Sequence, residues 1–146
     1  MKHRFKITPA VYLILEKNKK ILMARRFNTG WEDGNYSLPS GHLDGNEKAK
    51  DAMCREAKEE VGIDIEPRGL EIVHIMHRRT GDIGNERIDI YFKAEKWQGE
   101  PKNIEKDKCD DVNWFQLNRL PKNIVLPTKE AIKYYTIGTT YSEYGW

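Results

Sequence analysis

Three carboxylates, Glu56, Glu59 and Glu60, fall within five consecutive residues of the run Arg55-Glu56-Ala57-Lys58-Glu59-Glu60. On a helix of ~3.6 residues per turn, positions i, i+3 and i+4 share one side. Like charges so placed repel by roughly 0.2–0.5 kcal/mol per pair when exposed, and by more once water is withdrawn. A divalent cation between them would turn that repulsion into ligation. Hard oxygen donors favour Mg2+, with Mn2+ as the alternative, over zinc, and no neighbouring set of histidines and cysteines points the other way. The plain alternative is a solvated acidic face, which Glu-x-x-Glu-Glu by itself does not exclude.

A helix must carry these groups, and the sequence supplies one. Ala49, Ala52, Met53, Ala57 and Val61 recur at three- and four-residue spacing, as a core-facing stripe does. Asn46 is the expected N-cap, Glu47 sits near the positive end of the helix dipole, and Gly62 is the expected stop. Ahead of the helix, residues 10–15 and 21–26 read as strands around a turn at 17–20. Residues 28–35, with Trp31 among Gly, Asn and Asp, read as a loop, and 36–41 as a short extended piece before the helix. Beyond it, residues 70–78 and 87–97 read as longer strands joined through 80–85. The second alternates, with Ile88, Ile90, Phe92 and Ala94 on one face and Arg87, Asp89, Tyr91 and Lys93 on the other. Residues 112–117 suggest a further strand and 128–135 a last helix capped by Thr128, before an aromatic tail at 141–146. The pattern predicts an α/β fold, a mixed sheet with helices on its faces, forming one domain over 1–146.

Composition sets outer limits. With 146 residues, 38% hydrophobic and 33% charged, the chain can bury one proper core. A formal net charge of +2 argues against strong nucleic-acid binding, although a few basic residues in one cleft would still bind phosphate. Cys54 and Cys109 stand far apart and fit reduced thiols better than a zinc site or disulfide framework. No signal peptide or membrane-length apolar run is present, so a cytoplasmic location is the default expectation. A homodimer is expected on base rates alone.

Reading outward from the acidic run, the string Gly41-x5-Glu47-x7-Arg55-Glu56-Ala57-x-Glu59-Glu60-x-Gly62-Ile63 resembles the Nudix box. Pro39 before the first glycine, Arg25-Arg26 at a strand end and Trp114-Phe115 extend the resemblance over about residues 8–120. It implies the Nudix-type α/β/α sandwich around a mixed β-sheet, and roles for matching residues. Glu56, Glu59 and Glu60 resemble metal-binding carboxylates, one of which also activates water. Glu47 is similar to the first glutamate of the box, and Arg55 to the arginine that orients a catalytic glutamate. Ser40, where many relatives have glycine, is the expected main-chain metal ligand. Arg26 is the expected phosphate-binding residue, with the nearby His42 and Trp31 as substrate contacts.

The implied activity is Mg2+-dependent hydrolysis of a nucleoside diphosphate linked to a group X. Conversion of a nucleoside triphosphate to its monophosphate plus pyrophosphate leads, in the manner of a nucleotide-pool sanitiser. Nucleotide sugars, dinucleoside polyphosphates and RNA 5′ ends are alternatives. A nucleotide-sensing module without hydrolysis is the rival from another class, and the retained glutamates speak against it. Several further ligands are candidates in the acidic segment 105–111, where Asp110 and Asp111 lie nearest the following strand, although spacing does not choose among them. His74 and His77 fit structural histidines better than substrate contacts. Phe27, Trp31 and Tyr36 suit either base stacking or core packing.

Overall fold

The first hairpin opens almost as soon as it forms. In the computed structural model, which describes residues 2–81 and 85–146, strands β1 (Thr8–Lys17) and β2 (Lys20–Arg26) pair only at Glu16↔Ile21 and Lys17↔Lys20. Asn18 and Lys19 take positive φ, 53° and 61°, as the two-residue turn of a right-twisted hairpin requires. Beyond that junction the strands part. Into the gap come β3 (Tyr36–Ser37), pairing with β2, and β4 (Ser40–His42), pairing with β1.

The rest of the sheet extends from both sides of this split. The 13-residue helix α1 (Ala49–Val61) follows β4. Next come β5 (Leu70–Arg79), β6 (Glu86–Ala94), β7 (Cys109–Gln116), α2 (Leu126–Thr136) and β8 (Tyr141–Tyr144). The strand order is β3-β2-β1-β6-β5-β8, with β7 on β2 and β4 on β1. Strands β1 and β6 run parallel, as do β5 and β8, while the other pairs are antiparallel. The sheet is therefore mixed, as the sequence pattern predicts.

Two cores lie on its two faces. Val11, Leu13, Leu15, Phe92 and Ala94 meet Ala52, Met53, Ala57 and Val61 of α1. Ala10, Tyr12, Ile14, Met76 and Tyr91 meet Ala131 and Ile132 of α2. Alternation along β1 and β6 sends successive side chains to opposite cores, which makes the fold an α/β/α sandwich. Among the described residues no helix is long and apolar enough to cross a membrane.

Several local expectations are corrected. Asn46 does not cap α1: it has φ 53°, and the cap position falls to Lys48 without a side-chain bond. Gly62 does end the helix, in left-handed geometry with φ 74°. Thr128 does not cap α2, which starts two residues earlier at Leu126; it is buried, with its hydroxyl against that of Ser37 at 2.9 Å. Strand β6 stops at Ala94 instead of 97, and the aromatic tail contributes the added strand β8. Of the connection expected over 80–85, residues 82–84 lie outside the described residues.

The second face of β6 is polar in sequence and yet buries Asp89 and Tyr91, leaving Arg87 and Lys93 partly exposed. Asp89 is 0% exposed and accepts a 2.8 Å bond from Nε of Arg78, itself 1% exposed. The Arg78 guanidinium also donates to the Tyr12 hydroxyl at 3.2 Å and lies 5.9 Å from the Trp31 ring centre. Removing one member of such a pair leaves a charge stranded. Asp89→Ala is expected to cost about 3–5 kcal/mol of stability, whereas the double variant Arg78→Met/Asp89→Leu recovers most of it, as urea denaturation of the two proteins will show.

Candidate active site

Where β1 and β2 part, the sheet leaves a cleft of about 630 Å³. Tyr12 of β1, Arg25 and Arg26 of β2 and the β4 segment line one part of it; Glu56, Glu59 and Glu60 of α1 line another. The opening follows from the chain order: the β3–β4 segment must enter between the diverging strands, and α1 begins seven residues after it. The Leu13 N–H donates to the Pro39 carbonyl at 2.9 Å and fixes that entry.

The acidic groups are held in distinct ways. Glu56 is tucked against Gly41, with 13% of its side chain exposed. A Cβ built on Gly41 would lie 2.1 Å from the Glu56 carboxyl carbon, so the glycine is required by close approach and not by its backbone angles. Glu60 accepts a 2.9 Å bond from the Ser40 N–H. Burial pushes the Glu60 carboxyl well above the usual range, and Glu56 and Glu105 push it further, against the Ser40 N–H. Burial likewise raises Glu56, opposed by Arg55 and reinforced by Glu59 and Glu105. Glu59 is the most open, with 51% of its side chain exposed.

Arg55 ties the group together. Its guanidinium donates to Glu47 from Nη2 at 2.9 Å and Nε at 3.3 Å, and to Glu56 from Nη1 at 2.8 Å. Longer contacts reach Glu59 and the His42 carbonyl, both at 3.4 Å. This two-pronged grip draws the Glu47 carboxyl below its ordinary pKa, helped by the Asp44 N–H. Glu60 stands apart: among the described residues no Lys, Arg or His forms an ion pair with it.

The predicted substrate contacts also reach the cleft. Arg26 donates to the Trp31 carbonyl at 2.7 Å and to the Thr29 hydroxyl at 3.0 Å, with its guanidinium 4.9 Å from the Trp31 ring centre. Trp31 remains 44% exposed. Asp33 braces the loop by accepting from the Thr29 and Gly30 N–H groups. His42 lines the cleft, its Nε2 3.0 Å from Nη2 of Arg87. Burial and Arg87 hold its pKa below the usual histidine value.

In the segment 105–111 the structure brings forward Glu105, which lines the cleft. Asp110 is turned to Arg25 at 2.7 Å, and Asp111 accepts from the Tyr36 hydroxyl. Burial, with that partner, lifts the Tyr36 pKa to about 12. The reason lies at the end of α1. The N–H groups of Lys102 and Ile104 bond the carbonyls of Val61 and Glu60 at 3.1 and 3.2 Å, satisfying acceptors that a helix end leaves open. That docking delivers Glu105 to the last turn. His74 is buried between the Thr139 carbonyl and the Ser142 hydroxyl, and His77 meets Glu86. Neither lines the cleft.

Comparison with known proteins decides the lineage. The NUDIX domain family profile matches residues 6–135. The chain belongs to the Nudix family. It is a hydrolase of that family, of the kind that acts on phosphoanhydride bonds. An ADP-ribose pyrophosphatase of Methanocaldococcus jannaschii is 32% identical over 136 residues, spanning 92% of this chain and 77% of that protein. A NAD-capped RNA hydrolase, NudC, of Stutzerimonas stutzeri is 26% identical across 94% of this chain, which spans only 45% of that relative. Among solved structures, the MutT NUDIX hydrolase of Burkholderia pseudomallei superposes with a TM-score of 0.80 at 26% identity, covering 88% of this chain and 97% of that one.

Within this Nudix site the contact between Gly41 and Glu56 separates activity from stability. The carboxylate is the flexible end of a side chain and can move aside cheaply, but not while keeping its place in the cleft. Gly41→Ala is expected to lower kcat roughly ten- to a hundredfold, the scale of an ångström-level misplacement, with a small change in Tm. Steady-state kinetics beside thermal unfolding will test this, and an unchanged kcat contradicts it.

Proposed function

We propose that the protein is a divalent-metal-dependent pyrophosphohydrolase of nucleoside diphosphate derivatives, with ADP-ribose-type compounds as the leading substrates. The observation that carries this is the cluster of Glu56, Glu59, Glu60 and Glu105 facing a cleft that also holds Arg26 and Trp31. The archaeal relative, 32% identical over nearly the whole chain, supports the choice of substrate class. A nucleoside triphosphate is the second reading, favoured by Arg26, Arg87 and Lys108 lining the same cleft, since these cations suit a more highly charged chain of phosphates.

The acidic set fits a hard cation. Glu60 is half-buried, repelled by Glu56 and Glu105, and has no ion-pair partner among the described residues, so its charge lacks a counterpart. Among those residues no three acidic, His or Cys side chains are gathered closely enough to hold a metal ion as they stand; Arg55 holds Glu56 and the Ser40 N–H holds Glu60, and a bound ion would have to draw the carboxylates together. Glu56, Glu59 and Glu60, with Glu105 and the Ser40 carbonyl, would hold Mg2+, or Mn2+ in its place. When bound, such an ion supplies charge neutralisation on the diphosphate and makes water more acidic.

The chain's own groups do the remaining work. Arg55 fixes the carboxylates of Glu47 and Glu56 so that neither must be oriented during the reaction. Glu59, exposed to the cleft and held among the described residues by one long contact to Arg55, would take a proton from attacking water with a carboxylate oxygen not given to the ion. Arg26 offers its unspent N–H donors to a phosphate oxygen. Trp31 presents an exposed ring for a base, an interaction of ~1–3 kcal/mol, and His42 contacts the substrate beside the box glycine.

Incubation with ADP-ribose, dinucleotides, nucleotide sugars and nucleoside triphosphates in Mg2+, with products separated by chromatography, tests the assignment. ADP-ribose is expected to yield AMP and ribose 5-phosphate; EDTA is expected to abolish turnover and Mn2+ to restore it. No turnover of any phosphoanhydride would refute the reading, and turnover of triphosphates alone would select the second. Glu59→Gln is expected to lower kcat at least about a hundredfold, because the water must be both activated and aligned. Equal rates for variant and wild type would remove Glu59 from the chemistry.

A further inference from the structure

The floor of the cleft carries an imbalance of charge that the box residues do not explain. Two guanidinium groups, Arg78 and Arg87, are cross-strand partners on β5 and β6 and flank one carboxylate, Asp89. Asp89 gives one oxygen to Arg78 at 2.8 Å, while its other oxygen stands 3.6 Å from Nε of Arg87. Both that Asp89 oxygen and the Arg87 Nε are buried and lack a hydrogen-bond partner among the described residues. One negative charge thus serves two positive ones, and it is spent on Arg78.

Among the described residues the Arg87 side chain is left with a single hydrogen bond, from Nη2 to Nε2 of His42 at 3.0 Å. A guanidinium has five N–H donors, and native proteins seldom leave such donors idle when water is scarce. The side chain is 22% exposed and lines the cleft. His42 and Asp89 hold it from two directions, so little rotamer freedom remains to be lost when a ligand arrives. A flat fork with free donors and surplus positive charge matches the oxygens of a phosphate.

We propose that Arg87 is a phosphate-binding residue of this cleft, with Asp89 and His42 as its positioning partners. It would grip the phosphate portion of the nucleotide, and the base and sugar would lie elsewhere. This rests on the nucleotide-hydrolase reading for its ligand class, but not on turnover. Arg87 falls outside the Gly41–Ile63 motif, so motif matching alone does not find it.

Equilibrium titration without metal, followed by calorimetry or by fluorescence of the cleft tryptophan, provides the test, with ADP and adenosine as ligands. Arg87→Met is expected to weaken ADP binding about 10- to 100-fold, the worth of a charge-assisted hydrogen bond, with adenosine unaffected. Arg87→Lys should fall between, since it keeps the charge but loses the fork, and it carries the same comparison should the Met variant fail to fold. An equal loss for ADP and adenosine, no loss for either, or wild-type protein that binds ADP no better than adenosine would each overturn the proposal. Because binding is measured without cleavage, failure of the hydrolysis panel and failure of this titration are separate results.

Discussion

Crowding of negative charge at the end of α1 governs the site. Glu56, Glu59 and Glu60 share one side of the helix, Glu105 is brought against them, and one guanidinium, that of Arg55, bonds directly to two of the three helix carboxylates. Helix propensity would not sustain such an arrangement, since the repulsions fall in a region with restricted solvent. What holds it is the opposite stripe of the same helix. Ala52, Met53, Ala57 and Val61 are fully buried against β1 and β6, and burial of side chains such as Val and Met contributes ~1.5–3 kcal/mol each. That burial is what offsets repulsions larger than the few tenths of an exposed pair. The helix is anchored by its apolar face and can present an unfavourable polar one.

The placement of that polar face depends on the failure of β1 and β2 to continue pairing. Had the hairpin zipped along its length, β4 would have no edge of β1 to join, and the cleft would be closed by ladder hydrogen bonds. Instead β4 takes register with Ala10, Val11 and Tyr12, which puts Gly41 beneath Glu56 and the Ser40 N–H beside Glu60. Backbone geometry and carboxylate geometry are thereby coupled: shifting either moves the other. Ser40, in a place often held by glycine in the family, lies in ordinary strand geometry and reaches Glu60 through its main chain, so its side chain is not what the position requires.

Much of this was legible in the sequence, and the failures share a cause. The α1 stripe, its acidic side and the Gly62 stop follow from local periodicity, which tertiary packing reinforces. The box string likewise brought Glu47 and Arg55 into consideration, and they are hydrogen-bonded in the structure. Asn46 and Thr128 are good capping residues by chemistry, but tertiary contacts settled those helix starts: Asn46 sits in a left-handed turn and Thr128 is drawn to Ser37. Glu105 was indistinguishable from Asp110 and Asp111 because its selection depends on which loop N–H groups dock on α1. Alternation along β6 assigned the two faces correctly, but it could not reveal that Tyr91 on the polar face packs in the core with α2 while Asp89 is buried against Arg78.

Charged residues in this molecule are not confined to its wet surfaces. A charged residue alternating with apolar ones usually marks a wet face, yet Asp89 is as buried as Phe92 on the opposite face of the same strand. The buried Arg78–Asp89 pair contributes little net stability compared with apolar packing of similar volume, so stability alone is a weak reason for its presence. Its position supplies a better one. It lies beneath Arg87 and Tyr12, both of which line the cleft, and it gives that floor a fixed electrostatic character that apolar side chains could not provide. The α1 carboxylates and the arginines of β2 and β6 therefore set fields of opposite sign in one cleft, each supported by its own core. A ligand that carries oxygen-rich anionic groups together with a cation meets both fields at once, and neither half alone would hold it.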